Sequence, residues 1–199
     1  MNLEDGDAPG TRFDRFLRLA KEYGAAVVCT CIDTEGQART AEWKLRAARS
    51  IHDLAIERYG LEPSDLIFDP LALTLGTGME ESRGDGKATI DGIRLIKENL
   101  PGVHTTLGLS NISFGLKPAA RHVINSVYLH ECAEAGLDSA IVHAGRILPL
   151  SRIPEDQRDA CLDLIYDRRG AEGALSGGDP EYDPLQKIIE LFEDVESGV

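Results

Sequence analysis

Polar side chains directly follow four apolar, strand-like runs of this 199-residue chain. The positions after the runs are, in chain order, Asp33, Asp69, Ser110-Asn111 and His143. In parallel α/β proteins, ligands bind at the carboxyl ends of the strands, so this pattern favours a binding site over a purely structural role. Asp and Asn are also common turn-formers and helix caps in such loops, and this ordinary interpretation stays open for each position.

Asp69 is informative because Pro70 follows it. Proline restricts the backbone just past the strand and would hold the carboxylate rigidly. A carboxylate can accept two parallel N–H bonds from a guanidine-like ring edge, such as the edge that pterins and guanines present. The sequence therefore predicts a ring-binding carboxylate at Asp69, with a plain Asp-Pro turn as the alternative.

The densest polar motif is Ser-Asn-Ile-Ser-Phe-Gly, which begins at Ser110. Asn111 has both a donor and an acceptor, so it can follow a ring nitrogen that changes protonation. Phe114 could stack on a ring or line a pocket, and Gly115 relieves backbone strain ahead of the next helix. We predict that this motif forms part of a ligand site.

A metal site is not predicted anywhere in the chain. Cys29 and Cys31 lie on one face of a strand, but no second Cys or His pair has zinc spacing, so they are interpreted as packing residues. Three of the five histidines fall within predicted helices, where surface or packing roles are expected, and only His143 stands at a strand end.

Composition excludes several function classes. The chain has 34 Asp and Glu against 21 Lys and Arg, a formal charge of −13, which argues against sequence-independent nucleic-acid binding. Its longest apolar runs are about eight residues, far below the ~18 of a membrane span. The N-terminus is acidic and polar, unlike a secretory signal. We expect a cytoplasmic chain with reduced cysteines.

The segments alternate between helix-like and strand-like patterns, an α segment followed by four βα units. Strands are predicted over 25–32, 66–68, 105–109 and 139–143, and helices over 11–23, 40–59, 89–99, 118–135, 154–169 and 184–195. Thr40 is the expected N-cap and Gly60 the expected C-cap of the second helix. Four parallel strands fit either a small open doubly wound sheet or half of a barrel, and periodicity does not decide between them.

Three stretches resemble one family. They are Leu-Ile-Phe-Asp-Pro-Leu at 66–71, Leu-Thr-Leu-Gly-Thr-Gly at 73–78, and above all the run 106–118 around the Ser-Asn-Ile-Ser-Phe-Gly motif. They resemble the pterin-binding (folate) domain of cobalamin-dependent methionine synthases, a TIM-barrel-type (β/α)8 fold related to dihydropteroate synthase. The resemblance covers residues 1–169 and only the second half of the barrel. It implies a partial α/β domain of about four parallel strands, a linker at 170–183, and a C-terminal helix at 184–199 toward a cobalamin-binding module.

The resemblance also implies a reaction. The family transfers the N5-methyl group of 5-methyltetrahydrofolate to cob(I)alamin, a methyltransferase step toward methionine. By position, Asn111 resembles the catalytic residue that contacts N5, and Asp69 the acceptor for the 2-amino/N3 edge. Ser113, Phe114 and Gly115 would shape the pocket wall, and His143 lies where other members carry Asn. Cobalamin and zinc belong to domains outside this chain, so this half is expected to be inactive alone.

Two other functions fit the same sequence. A half barrel has open strand edges, so the chain could be a non-catalytic protein that forms a homodimer or docks on a partner. It could also be another pterin-barrel enzyme, either dihydropteroate-synthase-like or one that transfers a methyl group to a corrinoid iron–sulfur protein. Neither a nucleic acid nor a membrane is expected as a partner.

Overall fold

A computed structural model describes residues 1–175 and 178–195. The chain divides into two compact units. The first unit contains Met1–Leu71, Ala88–Leu107 and Ala133–Ala140, and the second contains Ala72–Lys87, Gly108–Cys132 and Ile141–Val199.

The secondary structure alternates as predicted. The strands are β1 (Val27–Thr30), β2 (Ile32–Asp33), β3 (Gly36–Gln37), β4 (Leu66–Asp69), β5 (His104–Leu107) and β6 (Ser139–Ala140). The helices are α1 (Arg12–Tyr23), α2 (Ala41–Glu57), α3 (Asp85–Asn99), α4 (Pro118–Glu134), α5 (Glu155–Ile165), α6 (Gly170–Gly173) and α7 (Pro184–Leu191).

The first unit contains a four-stranded parallel sheet in the order β1-β4-β5-β6. These strands follow one another in the chain without a reversal. A doubly wound sheet reverses its strand order at a switch point, whereas a barrel does not. The strand order therefore confirms the prediction of a partial TIM-barrel-type sheet and removes the doubly wound alternative.

The bounds of the predicted strands differ from the observed ones, by one or two residues for β4 and β5 and by more for the first and the last predicted strand. The run 25–32 was predicted as one strand, but β1 ends at Thr30, and β2 pairs with β3 in a small antiparallel hairpin instead. The turn lies at residues 34–35, and Gly36, the first residue of β3, has a φ of 119° that suits glycine. The predicted strand 139–143 is reduced to β6, because its partner β5 ends at Leu107 and offers no further backbone groups.

Threonine side chains cap the first two helices, and the N-cap predicted at Thr40 is confirmed. Thr11 and Thr40 accept hydrogen bonds from Asp14 N and Trp43 N, respectively, at the starts of α1 and α2. The C-cap predicted at Gly60 is wrong, since α2 ends at Glu57 and Arg58 takes the cap position. The helix predicted over 154–169 is also shorter, because the chain leaves helical geometry before Asp167, where φ is 52°.

The core of the first unit forms between α1, α2 and the strands. Fully buried members include Phe13, Leu17, Ile51 and Phe68. Cys29 belongs to the same cluster, and burial raises the pKa of its thiol to about 12. The neutral, buried thiol therefore has the packing role that the sequence predicted.

The segment predicted as a linker is hydrogen-bonded to α5 within the second unit. It carries the short helix α6, and the fully buried Asp163 accepts hydrogen bonds from Leu175 N at 2.9 Å and Tyr182 Oη at 3.0 Å. Asp183 then caps α7. The described part of 170–183 is thus attached to the preceding helix. Residues 176–177 of the predicted linker and 196–199 of the predicted terminal helix lie outside the described residues.

The outer edge of β1 takes backbone hydrogen bonds from the first residues of the chain. Thr30 N donates to Met1 O at 2.9 Å, and Leu3 N donates to Ile32 O at 3.0 Å. An apolar patch nonetheless stays exposed beside β1, formed by Phe16, Leu19, Tyr23 and Val28.

Candidate functional site

Asp69 ends β4 and is held by its own turn. Its Oδ1 accepts a hydrogen bond from Leu71 N at 2.8 Å, two residues further along the chain. Pro70 lies between them, and Leu71 has a φ of 67°, a left-handed conformation that costs free energy for a branched side chain. The rigid carboxylate expected from the sequence is therefore produced by an Asx-type turn as well as by the proline.

A buried lysine holds this turn. Lys44 is fully buried on α2, and its Nζ donates to Pro70 O at 2.6 Å and to Ala38 O at 2.8 Å. Leu71 O in turn accepts from Thr89 Oγ1 at 2.8 Å. These donors satisfy the carbonyls of a strained loop and so keep it in one conformation.

Lys44 was not among the residues predicted from the sequence, although its position carried a signal. The apolar stripe of α2 passes through Ala47, Ala48 and Ile51, and Lys44 falls on the same stripe, where a charged residue needs buried partners. The aliphatic part of the Lys44 side chain also packs closely against α3. A Cβ on Gly92 would lie 2.8 Å from Lys44 Cδ, so this glycine leaves room for the lysine.

Asn111 lies on a short 3-10 helix, Leu109–Ser113, which follows β5. Its side chain is exposed, and its Nδ2 donates to Ala72 O at 2.6 Å. This bond fixes the amide plane and leaves Oδ1 as an acceptor, together with the second amide hydrogen, for a ligand. That this amide contacts a ring nitrogen stays a prediction from the sequence.

Ser113 is fully buried beneath the motif. Its Oγ lies 2.8 Å from Asn125 Oδ1 on α4, and Arg121 Nε donates to it at 3.2 Å. Arg121 also donates to Ser110 O at 3.2 Å. Ser113 therefore fixes the turn that carries Asn111 rather than presenting its own hydroxyl to solvent.

Phe114 and Gly115 complete the turn. The Phe114 side chain is 60% exposed, and Gly115 has a φ of 95°, as its predicted role in relieving strain requires. A Cβ on Gly76 would come within 2.5 Å of Phe114 O, so the chain passes close to the motif only because residue 76 is glycine. Gly115 and Ile188 of α7 line one cavity, and Ser110 lines a different one.

His143 lines a separate cavity of about 200 Å³ in the second unit. The other polar residues that line it are Ser110, Arg121, His122, Asn125 and Arg146. The second unit thus contains five of the six predicted site residues, and Asp69 belongs to the first unit. The three basic residues around His143 were missed as site residues, and the only sequence signal was the basic pair Arg121-His122 near the start of α4, which covers two of them.

Four parallel strands in chain order define an α/β protein with a barrel-type sheet. The sequence profile of the family described as pterin binding enzyme matches residues 4–143. The chain therefore belongs to the pterin-binding enzyme family, as the resemblance predicted.

Two relatives are methionine synthases of mycobacteria. The chain is 54% identical over 195 residues to the methionine synthase of Mycobacterium tuberculosis (strain ATCC 25618 / H37Rv), which covers 98% of this chain and 16% of that protein. It is 55% identical over 197 residues to the methionine synthase of Mycobacterium leprae (strain TN), with 99% and 16% covered. The chain thus spans about a sixth of the length of these relatives and is similar to their pterin-binding domain.

The described residues contain neither a membrane-spanning helix nor a metal-binding cluster. No helix among residues 1–175 and 178–195 is long and apolar enough to cross a membrane. The same part of the chain contains no group of three or more His, Cys, Asp or Glu side chains arranged to hold a metal ion.

Proposed function

We propose that this chain binds 5-methyltetrahydrofolate by its pterin ring and presents the N5-methyl group for transfer to cob(I)alamin. The observation that carries the proposal is the exposed Asn111 amide, whose plane is fixed by Ala72 O. The similarity to methionine synthases over nearly the whole chain supports the choice of substrate.

The proposed methyl transfer requires activation of the N5 leaving group. A tertiary amine is a poor leaving group, so N5 must gain a proton or a strong hydrogen bond before or during transfer. The methyl carbon leaves N5, the electron pair of the C–N bond stays on N5, and the proton completes tetrahydrofolate. Asn111 can form a hydrogen bond with N5 in either protonation state, because its Oδ1 accepts from a protonated N5 and its amide hydrogen donates to an unprotonated one.

The remaining predicted residues have supporting roles in this proposal. Asp69, held by Leu71 N, would accept from the 2-amino/N3 edge, which is the bidentate pairing that carboxylates make with guanidine-like groups. Ser113 and Gly115 would fix the turn, and Phe114 offers an exposed ring for contact. The nucleophile is supplied from outside this chain, by a cobalamin-binding module. We place this function in the cytoplasm, in keeping with four unpaired cysteines.

Calorimetric titration of the 199-residue chain with 5-methyltetrahydrofolate tests the proposal. Asn111→Ala and Asp69→Ala should each weaken binding by about tenfold or more, the effect of losing one hydrogen bond of about 1.4 kcal/mol. Asn99→Ala is the matched control, since it removes an exposed amide at the end of α3. Equal affinity of the wild type and both site variants, or no binding by the wild type, would contradict the proposal.

A second candidate is self-association of the chain. The apolar patch of Phe16, Leu19, Tyr23 and Val28 favours it, because three of these side chains are at least half exposed on one surface of the first unit. Light scattering coupled to size exclusion would detect a dimer that the variant Leu19→Lys converts to a monomer. A wild-type chain that elutes as a monomer at all concentrations removes this candidate.

A further inference from the structure

Four basic side chains surround the cavity beside His143. Arg121 and His122 come from the first turns of α4, and His143 and Arg146 come from the loop that follows at 141–149. The cavity has a volume of about 200 Å³. Pockets that enclose a drug-sized ligand are larger, roughly 300–1,000 Å³, so this one suits a small group rather than a whole folate.

The positive charge of this cavity is not compensated by the protein. None of the four basic side chains pairs with a carboxylate in the part of the chain that the structure describes, although Asp and Glu outnumber Lys and Arg by 34 to 21. Arg121 bonds only to the neutral Ser113 Oγ and Ser110 O there. Burial, and then the charges of Arg146, His143 and Arg121, lower the pKa of His122. The field inside the cavity is therefore positive and favours an anion.

Hydrogen bonds hold the cavity in its shape. Leu148 N donates to Ser126 Oγ of α4 at 2.8 Å, which attaches the loop to the helix. Arg146 N donates to His143 O at 2.9 Å within that loop. On the other side, Arg121 is bound to the turn that carries Asn111, and Ser110 lines the cavity directly before Asn111 in the chain.

We propose that this cavity binds the carboxylates of the glutamyl tail of the substrate. The inference rests on the proposed function, because it takes 5-methyltetrahydrofolate as the ligand and Asn111 as a pterin contact. Beyond its pterin ring, this substrate carries a p-aminobenzoyl group and one or more glutamates. A guanidinium fork matches a carboxylate in shape and charge, so Arg146, with Arg121 and the two imidazoles, is suited to bind the tail.

Calorimetry with three ligands tests the inference on the full 199-residue chain. The ligands are 5,6-dimethyltetrahydropterin, which has no tail, the triglutamate of 5-methyltetrahydrofolate, and p-aminobenzoyl-triglutamate, which has no pterin. Arg146→Gln should weaken binding of both tailed ligands by about tenfold, the loss of one charge-assisted hydrogen bond, and leave the tail-less pterin unchanged. Arg152→Gln is the matched control, because it removes a positive charge that is also exposed but does not line the cavity.

The outcomes separate the two proposals. If the pterin binds but Arg146→Gln and Arg152→Gln affect the tailed ligands equally, the tail site is wrong and the proposed function stands. If p-aminobenzoyl-triglutamate binds in an Arg146-dependent way and neither pterin nor Asn111 matters, the anion site stands and the proposed function is wrong. If Arg146→Gln weakens binding of the tail-less pterin as much as binding of the tailed ligands, the inference is also overturned, since Arg146 would then act on the ring.

Discussion

Replacing Lys44 by methionine should strongly destabilise the first unit. The variant keeps most of the side-chain length but leaves Pro70 O and Ala38 O without the Nζ that donates to them at 2.6 and 2.8 Å. Each hydrogen bond to a charged group contributes about 1.5–3 kcal/mol, so the loss is about 3–6 kcal/mol. That is a large fraction of the ~5–15 kcal/mol by which a domain is stable.

Urea denaturation measures this effect. With an m-value of about 2 kcal/mol/M, a loss of about 4 kcal/mol lowers the midpoint by roughly 2 M. Lys21→Met is the matched control, since Lys21 is exposed and donates only to Gly60 O, and it should cost less than ~1 kcal/mol. Thr89→Val is a milder test of the same loop, because it removes the neutral bond to Leu71 O and should cost about 1 kcal/mol. Equal midpoints for the Lys44 and Lys21 variants would refute this account of the loop.

Three further predictions concern stability and reactivity. Burial alone would raise the pKa of Asp138, but hydrogen bonds, first from Lys97, hold that pKa below its ordinary value of 3.8. The carboxylate therefore contributes its full stabilisation above the ordinary pKa of 3.8 and loses it as the pH falls through the lower folded-state pKa, so Asp138→Asn should lower the urea midpoint at about pH 7 and by progressively less as the pH is lowered below 3.8. Gly115→Ala should cost about 1–2 kcal/mol, because φ is 95° there, and a thermal melt would show it as a drop of about 3–6 °C. Cys29, whose pKa burial raises to about 12, should react with a thiol reagent at about pH 8 only as fast as the protein unfolds, and immediate labelling would contradict this.

Local patterns in the sequence predicted the elements and supplied the candidate site residues. Strand runs, helix stripes and the N-cap at Thr40 depend on neighbours within a few residues, so they can be read directly. Asp69 and Asn111 became candidates for the same reason, since Asp69 ends a strand and Asn111 lies just beyond one. The errors at Gly60 and at the ends of the fourth strand and fifth helix concern boundaries, where pairing partners and backbone angles decide.

Only the tertiary structure decided the strand order, the hydrogen bonds from Lys44 to the loop after Asp69, and the positively charged cavity beside His143. A barrel-type sheet differs from a doubly wound one only in which strands pair, and pairing is not visible in the periodicity of any single strand. Lys44 reaches Pro70 across 26 positions of the chain, and Arg146 joins His122 through a loop bound at Ser126. Such long-range contacts satisfy buried polar groups or concentrate charge, and they exist only once the chain has folded.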